Sequence, residues 1–156
     1  MSLMIATGPG GAMDYINVKC DANGYLIVTG YGANGTYSNN LAATVALAGG
    51  GATVIAGITA KKIMVTAFNI VTRGGAMAGT STVLTLQDTN GTPVVVATIL
   101  KAGLTQDTVI TGVVGTYVTL TNYMTPLTSG AGLVLISDGT ITGATSFDVS
   151  VNYQLV

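Results

Sequence analysis

The sequence offers few side chains that could do chemistry, and its most suggestive motif is a glycine-rich loop. Residues 30–35 read Gly-Tyr-Gly-Ala-Asn-Gly, which matches the G-x-G-x-x-G pattern of dinucleotide-binding loops and follows a strand-like run. That pattern also requires a helix after the loop and an acidic residue about 20 positions further on. Between Asp21 and Asp88 the sequence has no acidic residue. We therefore interpret residues 30–35 as a flexible loop and predict no cofactor.

The side chains that most enzymes use are also scarce. His and Glu are absent from the sequence, which excludes Ser-His and Cys-His pairs and zinc sites built on His. A thiol such as that of Cys20 needs a neighbouring base to act as a nucleophile. The Asp residues are scattered and mostly adjoin turn residues, where a carboxylate accepts hydrogen bonds from nearby backbone N–H groups: Asp14, Asp21, Asp88, Asp107, Asp138 and Asp148. A Ca²⁺ site formed by such loops is an alternative, but we predict no metal site and no enzyme activity.

The residues that we predict to contact a partner protein are cationic, aromatic or apolar. Lys61 and Lys62 begin a long apolar run and Arg73 ends it, so these cations could meet an acidic surface; the alternative is that they only keep strand ends solvated. Four of the seven tyrosines lie in the first forty residues, and Tyr is favoured at protein interfaces because one end can be buried while the other stays wet. The complete predicted contact set is Met4, Ile5, Tyr15, Tyr25, Tyr31, Tyr37, Lys61, Lys62 and Arg73.

The elements that must position these residues are predicted to be antiparallel strands. Residues 61–88 contain two runs of apolar and hydroxyl side chains around a Gly/Ala/Met connector, and we expect two strands of opposite direction. Asn90-Gly91 predicts a hairpin between the runs 83–88 and 94–100, and residues 147–155 alternate strictly between apolar and polar. Further strands are predicted at 94–100, 108–110, 116–121 and 133–137. About eight strands in residues 52–156 indicate an antiparallel β-sandwich, which we expect to be a jelly roll.

The first 51 residues have a different character. Short strand-like runs at 14–20 and 25–29 flank a hairpin-type turn, whereas 1–13 shows no periodicity and 31–40 is interpreted as a polar loop. Fixing Gly-rich backbone costs roughly 1–2 kcal/mol per residue, which a segment with few large side chains can hardly offset alone. We therefore predict an extended Gly/Ala-rich interaction arm at 1–51, and we expect a chain without residues 1–40 to remain folded.

Residues 41–60 have the length of a membrane-spanning helix, because all twenty are uncharged and Lys61 follows. Only a few of them are strongly apolar, and three consecutive Gly residues interrupt the run at 49–51. We predict extended strands and loop there, and no membrane partner.

Composition restricts the class of partner further. Charged residues make up only 7% of the 156 residues, against about 25% in a typical soluble domain, and the net charge is −1. With five Lys and Arg in total the chain can neutralise few phosphates, so we predict no nucleic-acid partner. A surface with so little charge is suited to burial against other protein. The single Cys is typical of a reducing compartment, and the first residues do not show the pattern of a signal peptide.

Taken together, the Gly/Ala/Thr-rich N-terminus, the run 58–63, the run 78–86 and the closing segment 139–156 resemble small structural proteins of tailed bacteriophages. The resemblance is to the jelly-roll cement or decoration proteins of the phage head, and it covers residues 52–156 in organisation without any signature motif. It implies a homotrimer on the capsid surface, made in the host cytoplasm, that binds the major capsid protein and clamps neighbouring capsomers.

Two other kinds of virion protein use similar sandwiches. A tail, fibre or receptor-binding protein would attach through its arm to another part of the particle, and a coat protein would assemble into shells by itself. Both stay as alternatives to the cement function.

Overall fold

The structure, a computed structural model, describes residues 3–6, 13–20, 26–29, 34–43, 47 and 51–156. Apart from one turn of 3-10 helix at Lys101–Gly103, the regular structure in these ranges is strand, and none of it is a helix that could cross a membrane. The strands in chain order are β1 (Leu3–Ala6), β2 (Met13–Cys20), β3 (Leu26–Thr29), β4 (Asn34–Ala42), β5 (Ala52–Ile55), β6 (Ile63–Arg73), β7 (Ala78–Gly79), β8 (Val83–Asp88), β9 (Val95–Leu100), β10 (Val109–Thr111), β11 (Val118–Leu120), β12 (Leu133–Ser137), β13 (Ile141–Thr142) and β14 (Ser146–Leu155). The named strands pair in antiparallel fashion, which confirms the prediction of an all-β chain with antiparallel sheets.

The chain divides into two units, Met1–Ala33 and Asn34–Val156. Unit 1 holds a three-stranded antiparallel sheet in the order β1-β2-β3. Cys20 lies opposite Leu26 in the β2–β3 pair, so the two runs predicted to form a hairpin do pair, although the turn between them lies outside the described residues. The predicted N-terminal tail contains β1, which pairs with β2. The N-terminal segment therefore contains a small sheet of its own.

Unit 2 contains two larger antiparallel sheets. One has four strands in the order β10-β6-β14-β4, and the other has five in the order β11-β9-β8-β12-β5. The long strands β6 and β14, of 11 and 10 residues, pair at the centre of the four-stranded sheet. β8 and β9 form the hairpin that Asn90-Gly91 predicts. The short strands β7 and β13 pair separately.

The two sheets of unit 2 share one hydrophobic core. In β14, Phe147, Val149 and Val151 are buried while the residues that alternate with them are more exposed, and β8 alternates in the same way. The largest fully buried side chains come from both sheets and their connections: Phe68, Phe147, Leu47, Ile63, Ile70, Leu84, Leu86, Ile99, Leu104, Leu127, Leu133 and Leu135. These residues form a single cluster, as in a β-sandwich. The finer jelly-roll assignment stays a prediction.

The boundary that we predicted after residue 51 is corrected to lie before Asn34. Most of the stretch interpreted as a polar loop at 31–40 belongs to β4, which pairs with β14 over nine consecutive residues. Tyr37 packs against the core, Leu41 is part of it, and the alternating side chains between them face solvent. An edge strand with one solvent-exposed face is rich in polar residues. Its composition is therefore typical of a loop, which explains the prediction.

The two strands predicted within residues 61–88 exist as β6 and β8, but they belong to different sheets. Gly74, directly after β6, adopts a left-handed φ of 79°, a conformation that glycine enters without steric cost. The chain then leaves the four-stranded sheet and passes through β7 before it enters the other sheet.

Candidate functional site

The exposed face of the four-stranded sheet carries mostly neutral hydrogen-bonding side chains. Three cross-strand rows run from β4 through β14 to β6: Thr36, Asn152 and Ala67; Ser38, Ser150 and Asn69; and Asn40, Asp148 and Val71. The hydroxyl of Thr36 donates to Asn152 Oδ1 at 3.0 Å, so the edge strand is tied to its neighbour by side chains as well as by backbone. Such a face can bind another polar surface through hydrogen bonds, but its rows contain no pair of groups suited to acid–base catalysis.

Arg73, at the end of β6, is the centre of the charged part of this face. Its Nε donates to Asp148 Oδ2 and its Nη1 donates to Asp107 Oδ1, each at 2.6 Å. Asn40 Nδ2 donates to the other carboxylate oxygen of Asp148 at 2.6 Å, and these bonds from Asn40 and Arg73 hold the pKa of the Asp148 carboxyl below its usual range. Arg73 thus already has, within the chain, the acidic partners that we expected another protein to supply.

Lys61 and Lys62 lie at the opposite end of β6 from Arg73. The N–H of Lys62 donates to the carbonyl of Val156 at 2.8 Å, and the N–H of Val156 donates back at 2.9 Å, which extends the ladder between β6 and β14. The 11 residues of β6 span about 36 Å at roughly 3.3 Å per residue. The three cations therefore do not form one basic patch.

The predicted aromatic and apolar contacts fall in both units. Tyr37 is half-buried in β4 and packs against the core, so only part of its surface is available to a partner. In unit 1, Met4 lies opposite Tyr15 in the β1–β2 ladder and Ile5 is the next residue of β1, which brings three predicted contact residues together. The other two predicted tyrosines, Tyr25 and Tyr31, lie outside the described residues.

A groove of about 440 Å³ opens where the ladder between β6 and β14 changes register. The change leaves Thr66 as an extra residue of β6, because Asn152 pairs with Ala67 and Tyr153 pairs with Val65. The groove is lined by Thr36, Thr66, Met124, Asn152, Tyr153 and Gln154. The groove therefore offers hydroxyl and amide groups for hydrogen bonds, together with apolar contact.

Exposed apolar side chains are concentrated in one stretch of unit 2. Among the described residues, eight large hydrophobic side chains are exposed, and six of them lie in the stretch of sequence from residue 100 to residue 124, which we call the apolar patch: Leu100, Val109, Val113, Val114, Tyr117 and Met124. Val113 and Val114 are 67% and 69% exposed in the loop between β10 and β11. Leu100 N–H donates to the carbonyl of Tyr117 at 2.8 Å, so these two members of the patch are neighbours. Contiguous exposed apolar surface marks sites of protein–protein contact, and the neighbouring pairs here are Val113 with Val114 and Leu100 with Tyr117.

Asp138 joins the start of β8 to the end of β12. Its carboxylate accepts hydrogen bonds from the hydroxyl and the N–H of Thr82, from the hydroxyl of Ser81 at 2.8 Å and from the N–H of Val83 at 3.1 Å. The bond from the Thr82 hydroxyl, with those from Val83 and Ser81, holds the pKa of Asp138 far below its usual range. Its partners lie 55 to 57 residues away, so Asp138 connects two strands rather than capping its own turn.

Asp88 has a similar structural role at the β8–β9 hairpin, because its carboxylate also accepts hydrogen bonds from the backbone. Its carboxylate is fully buried and accepts from the N–H groups of Asn90, Val94 and Thr128 at 2.9 to 3.2 Å. Burial alone would raise the pKa of Asp88, but these hydrogen bonds, with that of the Thr128 side chain, hold it lower than usual. In the part of the chain that the structure describes, no three His, Cys, Asp or Glu side chains are grouped so as to hold a metal ion.

Comparison with known proteins adds no relative. No protein-family model, no curated protein and no solved structure matches the chain. Function must therefore be argued from the surfaces themselves.

Proposed function

We propose that the chain is a structural protein of a phage virion that binds the outside of the capsid and clamps neighbouring capsomers. In this proposal the major capsid protein is its partner, and three copies form the trimer that the sequence resemblance implies. The proposal gives the chain a role in contact and not in catalysis.

The observation that carries the proposal is the apolar patch. Six exposed hydrophobic side chains fall within 25 consecutive residues, although apolar side chains elsewhere in unit 2 are mostly buried. Leaving them in water costs about 25 cal/mol for each Å² of apolar surface, and docking against protein recovers that free energy. Val113 and Val114 project from a loop, where two adjacent large side chains can enter a depression on a partner.

The polar face and the low charge support the same proposal. A shell presents many identical sites, so contacts that are individually weak add up through repetition. Neutral hydroxyl and amide groups, such as those in the rows of β4 and β14, can bind a protein surface without the desolvation cost of burying charges. With Lys and Arg so few, attraction to nucleic acid would not compete with this binding.

The experiment is co-expression of the full chain with the coat protein encoded in the same genome. Assembled shells are separated on a density gradient, and the amount of chain per coat subunit is measured in the shell fractions. We expect the chain to sediment with the shells and the Val113→Ser/Val114→Ser variant to be retained much less. Ile58→Ser/Val156→Ser is the matched control, because it removes two exposed apolar side chains outside the patch.

A wild-type chain that stays at the top of the gradient while shells form would contradict the proposal. Shells that form only when the chain is itself the building block would favour the self-assembling coat alternative. The trimer is checked separately by light scattering, which should give three times the 15.6 kDa of one chain.

A further inference from the structure

β4 is an unusually long edge strand for unit 2. It has nine residues, whereas the other edge strands of the two described sheets of unit 2, β10, β11 and β5, have three, three and four. Natural proteins protect such edges with charged side chains, Pro or bulges, because an open edge is a template for pairing with another strand. Residues 34–42 contain no charged residue and no Pro, and their pairing with β14 shows no bulge.

Two hydrogen bonds show which backbone groups of β4 face away from β14. The N–H of Ala43 donates to the carbonyl of Thr145 at 3.0 Å, which places the odd-numbered residues against β14. The N–H of Asn40 instead donates to Oδ1 of its neighbour Asn39 at 2.8 Å. In an antiparallel ladder the N–H and C=O of one residue point to the same side, and the side alternates along the strand. The even-numbered residues, with Ser38 at their centre, therefore direct their main-chain groups to the edge of the sheet, which we call open because no other described strand pairs there.

The strand is already ordered for pairing. Thr36 donates to Asn152 and Asn40 donates to Asp148, so the side chains next to the edge are held on the exposed face of the sheet. Tyr37 anchors the other side of the strand against the core. Because the strand is fixed before it binds, pairing costs less conformational entropy than it would for a free segment.

We propose that β4 pairs with β4 of a second copy of this chain. An antiparallel pair with its two-fold axis at Ser38 places Ser38 opposite Ser38 of the other copy and Thr36 opposite Asn40. This pairing forms about ten main-chain hydrogen bonds, and in each copy the N–H of Asn40 exchanges Oδ1 of Asn39 for a carbonyl of the other strand. It joins the two four-stranded sheets into one continuous sheet.

The composition of the edge favours a second copy over a partner of different chemistry. Each cross-strand pair in this register joins neutral side chains, and the two Ser38 hydroxyls at the axis can hydrogen-bond to each other. Two copies carry a net charge of only −1 each, so long-range repulsion between them is small. In the two-fold arrangement each copy covers the β4 edge of the other, so one contact covers both edges. A strand from a different protein would cover the edge of one copy only.

Light scattering of the full chain over a range of concentrations tests the proposal. We expect the mass to double as the concentration rises, whether the smaller species is a monomer or a trimer. Ser38→Lys should abolish the doubling, because it places two like charges opposite each other at the axis. Ser38→Pro should do the same without charge, since it removes an N–H that is not bonded to β14 and leaves that ladder intact. Asn69→Lys is the matched control, because it adds the same charge to the same face within β6.

Hydrogen exchange locates the contact. The amides of Thr36 and Ser38 should exchange slowly in the doubled species and rapidly after dilution, while the amide of Tyr37, which faces β14, should not respond. Doubling that survives Ser38→Lys and Ser38→Pro would overturn the proposal, as would a mass independent of concentration or an unchanged exchange of these two amides. The proposal does not rest on capsid binding: a chain that doubles through β4 but fails to sediment with shells would remove the proposed function alone.

Discussion

The ring of Tyr153 lies against the backbone of Gly35, its cross-strand partner in the ladder between β14 and β4. A Cβ on residue 35 would lie 2.7 Å from Cε1 of the ring, closer than side-chain carbons approach each other. A shift of β4 by one residue would bring a residue with a Cβ under the ring and turn every side chain of the strand to the other face. Gly35 and Tyr153 thus help to fix the register of the edge strand.

Gly35→Ala should destabilise unit 2 by about 1–3 kcal/mol, because the ring or the strand must move to make room. Gly91→Ala is the matched control, since no atom lies within 4 Å of the position of its Cβ. The measurement is urea unfolding followed by circular dichroism. Equal urea midpoints for the two variants would show that the Tyr153 ring moves aside without a loss of stability.

Thr72→Val should stabilise the protein by about 1 kcal/mol. Thr72 is fully buried, and its hydroxyl oxygen has no hydrogen-bond partner among the described residues. Val has nearly the same shape without the polar group, so the cost of burying an unpaired hydroxyl is removed. Thr111→Val, at an exposed position of β10, should change the unfolding free energy by less than about 0.5 kcal/mol. A Thr72→Val protein that unfolds earlier in urea than wild type would mean that the hydroxyl makes a stabilising bond.

Asp138 should make stability fall steeply in acid. Because its pKa is depressed in the folded chain, its contribution is fully present well above the ordinary carboxyl pKa near 3.8 and is lost progressively as the pH falls below about 4. Asp138→Asn should lower the melting temperature at pH 7 and flatten its decline between about pH 4 and pH 2. Calorimetry over this range checks both effects, and a variant with the wild-type decline would assign the acid sensitivity to other carboxylates.

Arg73→Gln should lower the melting temperature at low salt and have little effect in about 1 M NaCl. Its bonds to Asp107 and Asp148 join partly exposed charges, 38% to 58% accessible, and salt screens such pairs. The effect of Asp138→Asn should persist in the same salt, since neutral hydroxyl and amide groups surround that carboxylate. Equal salt dependence in the two variants would contradict this distinction.

Local patterns in the sequence predict much of this fold, and long-range pairing explains most of what they miss. The alternation from Phe147 onward and the Asn90-Gly91 turn are local signals, and both lead to observed elements. The pairing of Arg73 with Asp148 joins residues 75 positions apart, so no spacing rule reveals it. Composition does not reveal β4, because an edge strand buries only one face and the polar side chains on its other face are typical of a loop.

Truncation should separate the two views of the N-terminal boundary. A chain that begins at Asn34 keeps β4 and both sheets of unit 2, so it should unfold cooperatively with a stability close to that of the intact sandwich. A chain that begins at Leu41, which the sequence alone predicted to be harmless, loses Tyr37 and most of β4. Val149 and Val151, now buried opposite that strand, would become more accessible, and burying such side chains contributes about 1.5–3 kcal/mol each.

We therefore expect urea unfolding to show a loss of about 2 kcal/mol or more for the shorter chain relative to the longer one. Equal stability of the two truncated chains would mean that β4 adds nothing to the sandwich and would restore the boundary at residue 51.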